Sequence, residues 1–467
     1  MADNKKTSPK RELLLEKQVN GYDRINAEDL EACEEYNEKY KVFIDEGKTE
    51  RLATEYAVSA AEKAGFREYK RGDSLKQGDK IYRVNRDKAI VLAVIGSEGL
   101  DKGVNIAAAH LDAPRLDIKT TPLYEDSELA YFKTHYYGGI KKYQWLAIPL
   151  ELHGVIALKS GDVIKVSIGK DPSDPVLVIS DLLPHLASEQ MKKTAAETVA
   201  GEKLNALLGS IPEPEDEGSD RVKLYILGIL NEKYGITEAD LHSAELSLVP
   251  AFNARDVGLD RSMVGAYGHD DRVCSFGCLQ GILDINNPAK TAVCVLVDKE
   301  EIGSEGVTGM QSSFFDTFID DICQSFNVPL KACFENSFCI SSDVAAAYDP
   351  SFPEPYDKLN SARLNYGLGI VKYTGSRGKS GASDASAEVV AKIRRILDEA
   401  DVVWQMAPLG KVDAGGGGTV AKFMANRNID TIDAGVPVLS MHAPFEIVAK
   451  LDNYMSYKGL KAFYLSV

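Results

Sequence analysis

The 467-residue chain predicts an α/β fold: a largely parallel sheet covered on both faces by helices and interrupted by a β-rich insertion. The first ground for this is alternation. Apolar, β-branched runs trade places with helix-period segments both early in the chain and from about residue 245 onward, the pattern that parallel sheets produce. The second is a change of character between about 120 and 245, where short β-like pieces (GVIALKS, DVIKVSI, PVLVIS) surround an acidic loop, IPEPEDEGSD at 211–220. The third is length, which exceeds one ordinary core at roughly 150–250 residues per domain. Because the alternation starts before the middle stretch and resumes after it, the expected division is a discontinuous outer domain, 1–119 and 246–467, with an inner domain at 120–245.

Taken in order, residues 1–10 are polar and expected to be disordered. A helical pattern runs from Lys10 to about Phe66, with LEACEEYNEKYKVFIDEG stopping at Gly47 and TERLATEYAVSAAEKAGF at Gly65. Strands are predicted at KAIVLAVIG (88–96) and VNIAAAH (104–110). Beyond the insertion come TAVCVLV (291–297), NSFCISS (336–342), VVWQMAP (402–408) and TIDAGVPVLS (431–440), separated by helical stretches such as SFFDTFIDDICQSF and SDASAEVVAKIRRILDEA. No internal repeat or low-complexity tract is present.

Composition narrows the function. Hydrophobic residues make up 44% and charged residues 27%, as in a globular protein, and the formal net charge is −16. A chain this acidic gains nothing from counterion release on nucleic acid and is repelled by anionic membranes. No apolar run approaches the ~20 residues that a membrane span requires, and the N-terminus has no apolar signal core. The seven cysteines (Cys33, Cys274, Cys278, Cys294, Cys323, Cys333, Cys339) are odd in number and contain no CxxC. They are expected to be reduced thiols in a cytoplasmic protein.

In doubly wound sheets the site lies beyond the carboxyl ends of the strands, so the residues after each apolar run carry the functional information. His110 and Asp112 follow VNIAAA. His269, Asp270 and Asp271 precede the helix-like RVCSFGCLQGIL. Glu300 and Glu301 follow TAVCVLV, Asp343 follows NSFCISS, and His442 follows PVLS. Two histidines with three carboxylates form a nitrogen–oxygen donor set without thiolate, suited to zinc, manganese or cobalt. Two ions ~3.5–4 Å apart need a shared ligand. A carboxylate can bridge through its two oxygens and an imidazole cannot, so one of the aspartates is the expected bridge.

The adjacent glutamates fit the same picture. In extended backbone, neighbouring side chains point in opposite directions. One can bind metal while the other faces the open side of the site, placed to take a proton from the attacking water as general base. Asp112, two residues after His110, is placed to hold the free ring nitrogen of His110 and fix its tautomer. Each feature alone has a bland explanation: a solvated strand edge for the glutamates, helix caps for Asp343 and the HDD run, ordinary histidines at 110 and 442. Their ordered appearance in five separate segments carries the reading.

Five motifs, HLDAPRLDIK (110–119), GHDDRVCS (268–275), DKEEIGSEG (298–306), SSDVAAAYDP (341–350) and MHAPFEIV (441–448), resemble in sequence and order those of the M18 metalloaminopeptidases, the aspartyl and vacuolar aminopeptidase family. The resemblance runs from about residue 15 to the C-terminus. It implies a zinc-peptidase-type mixed sheet flanked by helices and interrupted by a β-rich dimerisation domain. It also implies two divalent ions per subunit, zinc foremost, with cobalt or manganese as alternatives. His110 and Asp343 are then ligands of the first metal, Asp270 the bridge, Glu301 and His442 ligands of the second, Glu300 the base and Asp112 the orienting residue. ISDLLPHLASEQ (179–190) resembles the segment whose histidine reaches a neighbouring subunit's active site and steadies the tetrahedral intermediate. This implies that role for His185, within a tetrahedral homododecamer built from dimers.

Lys372, in VKYTGSRGKSGASDAS (371–386), matches a lysine near the substrate and hints at an acidic side chain or carboxyl group. GGGG at 415–418 falls where the family has a Gly/Thr-rich turn opening a helix; no GK[ST] follows, so it is not a phosphate loop. The backbone amides of Gly417 and Gly418 are expected to bind a substrate oxygen. The chain departs from the eukaryotic members at GHDDRV, where they usually show R-L-D-N-L; the HDDR form is also typical of the related M42 aminopeptidases. Asp270 takes the place of the bridge and Asp271 the position after it.

The expected activity is removal of the N-terminal residue from short peptides with a free N-terminus. The alternatives are a related zinc hydrolase (a carboxypeptidase or an N-acyl amino acid deacylase) and a catalytically silent assembly protein, the last disfavoured by the intact ligand and base positions.

Overall fold

The computed structural model describes residues 9–467. The segment expected to be disordered lies outside them except for Pro9 and Lys10, which instead open a short helix, Pro9–Leu14. The helical stretch that follows is realised as Ala27–Glu46 and Glu50–Lys63, capped by the side chains of Asn26 and Thr49.

A nine-stranded mixed sheet occupies the centre. Its spatial order is Arg67–Glu68, Lys80–Asn85, Ala89–Val94, Thr291–Val297, Val104–His110, Phe338–Ser341, Asp430–Gly435, Leu368–Val371 and Trp404–Met406. Four neighbouring strands, 291–297, 104–110, 338–341 and 430–435, run parallel. The strands beside this group, 89–94 and 368–371, run antiparallel to it. Every residue of 89–94, 104–110 and 291–297 is buried, which explains why these segments are apolar throughout.

Side-chain alternation splits the strands between two cores. Ala107, Ala109, Cys294 and Leu296 face the helices Ala27–Glu46, His269–Leu283 and Lys450–Leu465, where Tyr36, Tyr40, Phe43 and Phe276 cluster. Ile106, Ala108, Val293 and Val295 face the helix Phe314–Ser325 through Phe315, Phe318 and Ile322.

TIDAGVPVLS is one apolar run in the sequence but two strands in space. Asp430–Gly435 stays in the central sheet. Pro437–Leu439 joins a five-stranded sheet with Arg255–Val257, Met263–Ala266, Glu446–Ala449 and Ala345–Ala346. Gly435 sits at the crossing, where a Cβ would fall 1.7 Å from the carbonyl oxygen of Asp343. This smaller sheet matters because Asp270 and His442 emerge from it.

Residues from Arg115 to Pro250 carry a third sheet of seven antiparallel strands. The Ala244–Pro250 strand also pairs along Pro149–Ala157, closing most of the sheet on itself around Trp145, Phe132, Leu152 and Leu248. A buried ion pair joins it to the N-terminal helices. Lys48 Nζ, in the turn between those helices, lies 3.0 Å from Glu151 Oε1 and donates to the carbonyl oxygens of Pro250 and Phe252 at 3.1 and 2.8 Å. Glu151 also accepts from His153 Nε2 at 2.9 Å. Such a pair is tolerable at this depth because its polar atoms are matched. Among the described residues no helix is long and apolar enough to cross a membrane, and all seven cysteines are free and buried.

Candidate metal centre

Five segments deliver polar side chains to one point. His110 ends the 104–110 strand, Glu300 and Glu301 follow the 291–297 strand, and Asp343 follows the 338–341 strand. The other two come from the smaller sheet: Asp270 stands at the start of the His269–Leu283 helix, just past Met263–Ala266, and His442 lies in the turn between Pro437–Leu439 and Glu446–Ala449. Ligand atoms of His110, Asp270 and Asp343 lie within 4.8 Å of one another, and so do those of Asp270, Glu301 and His442. Asp270 belongs to both groups. Its Oδ1 is 3.2 Å from His110 Nε2 and its Oδ2 is 3.0 Å from His442 Nε2.

The neighbours of Asp270 face elsewhere. Asp271, which follows across a cis peptide, accepts the backbone amide of His110 through Oδ2 at 3.3 Å. His269 takes a hydrogen bond from the Tyr40 hydroxyl at Nδ1 (2.5 Å) and donates from Nε2 to the Val264 carbonyl at 3.1 Å. Burial lowers its pKa to about 3, so it is neutral.

Both site histidines are held by their other ring nitrogen. His110 Nδ1 lies 2.9 Å from the Asp112 carbonyl oxygen and 3.3 Å from Asp112 Oδ1. His442 Nδ1 lies 2.8 Å from the Gly139 carbonyl oxygen. A carbonyl only accepts, so Nδ1 carries a proton and Nε2 is the nitrogen turned toward the carboxylates, the orientation of a metal-binding imidazole. Glu446 braces the bridge region by accepting the backbone amides of His442 (2.6 Å) and Asp270 (3.1 Å).

The glutamate pair diverges for a reason other than strand alternation. Lys299, at φ +70°, ends the extended backbone, and Glu300–Ile302 forms a single 3₁₀ turn. Successive side chains in such a turn point about 120° apart. Glu301 joins the group with Asp270 and His442, whereas Glu300 belongs to neither group and brings Oε2 to 3.9 Å from His110 Nε2. The amides of both residues donate to Asp112, Glu300 to Oδ1 at 3.1 Å and Glu301 to Oδ2 at 3.2 Å. Asp112 therefore positions the glutamates as well as His110.

The electrostatics call for a cation. Burial, with neighbouring carboxylates adding to it, pushes Asp343 and Glu301 well above the usual carboxylate range and Glu300 to about 7. Burial would lower His442, but the hydrogen bond and charge of Asp270 together with Glu301 raise it to about 10. A carboxylate oxygen 3.0–3.2 Å from each Nε2 needs a positive charge between the two atoms, which a proton on the ring or a metal ion in its place supplies. Glu301 Oε1 is buried without a hydrogen-bond partner. This donor set, nitrogen and oxygen without thiolate, fits divalent zinc, manganese or cobalt.

Other residues expected at the site are not joined to this cluster by hydrogen bonds or ion pairs. His185 is exposed, in a loop with the exposed Leu182, Leu183 and Leu186. Lys372 pairs with Asp384 at 2.7 Å, and Lys379 grips the other oxygen of the same carboxylate. Gly417 pairs with Gly375 in a two-stranded ribbon, and Gly418 is exposed beside it. That ribbon brings the 371–386 and 415–418 segments together, which their sequences do not announce. Residues that sequence reasoning missed are Tyr137, Gly139 and Glu446. Glu446 lies inside the MHAPFEIV motif and opens a strand, a detectable signal; Tyr137 and Gly139 had none.

Residues 43–464 match the aminopeptidase I zinc metalloprotease (M18) family. A probable M18 family aminopeptidase 1 of Clostridium acetobutylicum is 48% identical over 458 residues, 96% of this chain and 98% of that protein. The crystal structure of an M18-family aminopeptidase from Thermotoga maritima superposes with a TM-score of 0.93 at 42% identity, covering 97% of this chain and 100% of that one. The crystal structure of aminopeptidase I from C. acetobutylicum gives 0.92 at 47% identity over the same shares. At 20% identity the fold alone is shared with the yeast mApe1 dodecamer, with a TM-score of 0.74 over 91% of this chain and 95% of that one.

Proposed function

Since the chain belongs to the M18 family of zinc metalloproteases and is an aminopeptidase, we propose that it works with two divalent ions per subunit and removes the N-terminal residue of short peptides. The observation that carries the two-ion reading is Asp270, whose two carboxylate oxygens each face a different histidine. His110, Asp270 and Asp343 would hold one ion, and Asp270, Glu301 and His442 the other. When bound, such a pair supplies Lewis-acid polarisation of the scissile carbonyl, an anchor for the substrate's amine and acidification of the attacking water.

The remaining work falls to side chains. Glu300, outside both ligand groups, takes the proton from the attacking water and passes it to the leaving amine. Asp112 holds the amide of Glu300 and keeps His110 in its Nδ1–H form. Lys372 and the amides of Gly417 and Gly418 recognise the substrate from the ribbon side.

The substrate part of the proposal has a direct assay. Peptides with a free N-terminus are expected to turn over, whereas their N-acetylated forms lose on the order of 10²-fold or more in kcat/KM, since a site built around an amine leaves polar groups unpaired when the amine is blocked. Equal rates would overturn the free-amine requirement and move the proposal to the deacylase alternative. Long unfolded polypeptides cleaved as fast as tripeptides would overturn the preference for short ones.

The proposal extends to assembly. Residues 120–245 form an inserted domain that makes dimers, the dimers close into a tetrahedral homododecamer, and His185 serves a neighbouring subunit. Its support is the apolar surface around His185: Leu186 is 70% and Met191 77% exposed, more than a lone chain gains from showing. Light scattering is expected to give about twelve times the chain mass. A fully active monomer would overturn the trans role of His185. We place the enzyme in the cytoplasm, which suits its seven free cysteines.

A further inference from the structure

The Leu129–Tyr137 strand belongs to the inserted sheet, yet its last residue and the two that follow touch the metal centre at three places. The Tyr137 hydroxyl donates to Asp112 Oδ2 at 2.7 Å. This is the same carboxylate that accepts the amides of Glu300 and Glu301 and belongs to the residue whose carbonyl holds His110. Gly138, at φ +74°, lies against Glu301: a Cβ there would fall 3.2 Å from Glu301 Oε2 and 3.3 Å from Glu301 Cβ. The Gly139 carbonyl accepts Nδ1–H of His442. Three consecutive residues thus contact the orienting aspartate, a carboxylate of one candidate ligand group and the histidine of that group.

We infer that Tyr137–Gly138–Gly139 is a positioning element through which the inserted sheet sets the geometry of the metal centre, with the Tyr137 hydroxyl as its principal contact. The element is itself braced. The Arg115 guanidinium lies 4.1 Å from the centre of the Tyr137 ring. Its Nη1 binds Glu50 Oε2 at 3.0 Å, and its Nε binds Asp117 Oδ1 at 2.8 Å. Arg115 is buried, as is Glu50 at the start of the Glu50–Lys63 helix, so the ring is clamped between the inserted sheet and the catalytic layers. Burial and the adjacent Asp112 charge push the Tyr137 hydroxyl far above the usual phenol range, so it keeps the proton it donates. Without that donor, Asp112 Oδ2 keeps the Glu301 amide alone, and the carboxylate that holds the amides of Glu300 and Glu301 loses one of the two donors that fix that oxygen. Buried hydrogen bonds behind metal ligands are worth about 10–100-fold in metal affinity or activity.

The inference rests on the two-ion reading, and the experiment separates the two. Tyr137→Phe removes one oxygen and leaves the ring under Arg115. In the zinc-loaded full chain it is expected to lower zinc affinity, read by chelator competition, by about 10–100-fold. It should lower kcat by a similar factor with KM little changed, while the metal-free melting temperature falls by no more than about 2–4 °C. Gly138→Ala, which presses a methyl on Glu301, is expected to weaken zinc binding as well. Asp270→Ala is run beside them. If it keeps both ions, the metal-site assignment fails. If it loses them while Tyr137→Phe and Gly138→Ala keep wild-type zinc affinity and kcat, the positioning inference alone fails. A metal-free melting temperature lower by more than about 10 °C in both variants would also overturn it, because a fold defect would then account for the losses.

Discussion

Glu300→Gln is expected to take up zinc like the wild-type chain and to lose about 10²–10⁴-fold in kcat. Glutamine keeps the shape of the side chain and the backbone amide that Asp112 Oδ1 holds at 3.1 Å, so the turn Glu300–Ile302 is undisturbed. Glu300 belongs to neither ligand group, so zinc stoichiometry measured by elemental analysis should stay unchanged. What disappears is the only function a neutral amide cannot perform, accepting a proton beside the cluster. Normal turnover in this variant would remove Glu300 as the base. A variant that fails to bind zinc would mean that Glu300 is a ligand and that its separation from Glu301 has been misassigned.

Asp270→Ala is the more damaging change, because Asp270 is common to both candidate ligand groups and its loss would strike both proposed ions at once. No other side chain is common to the two groups. Each histidine loses the carboxylate oxygen facing its Nε2. Zinc is then expected to be absent from the purified variant and hydrolysis to fall to background. A thermal readout is independent of activity: zinc raises the melting temperature of the wild-type chain by mass action and leaves that of Asp270→Ala where it was. The fold should survive, since the hydrogen bond from this position to Glu446 comes from the main-chain amide, which alanine retains. Two zinc ions bound with wild-type affinity would end the bridging assignment.

The strands ending at His110 and Val297 were legible in the sequence to the residue, because both are buried on two faces and their apolar runs stop where polar residues, His110 and Asp298, take over. The glutamate pair was legible as chemistry, but the backbone that separates its members was not. Lys299 adopts positive φ, a conformation that a lysine does not advertise. The run 431–440 was misread as one strand for a similar reason: both halves are apolar and buried, so hydrophobic pattern alone does not mark the passage from the central sheet to the smaller one. Asp270 and Asp271 stayed indistinguishable as residue types, and only their contacts tell them apart.

The sequence by itself determined the kind of chemistry available to this protein. Its candidate ligands are histidines and acids without thiolates, placed where apolar segments end or begin, in the order of a known family of metallopeptidases. Only the tertiary structure decided that one aspartate faces two histidines, that Asp112 clasps both glutamate amides, and that Tyr137 and Gly139 reach in from the inserted sheet to hold the centre. The physical reason is range. Hydrophobic period and turn chemistry are set by near neighbours along the chain, whereas the pairing of one oxygen with one nitrogen depends on the order and crossing of strands far apart in it.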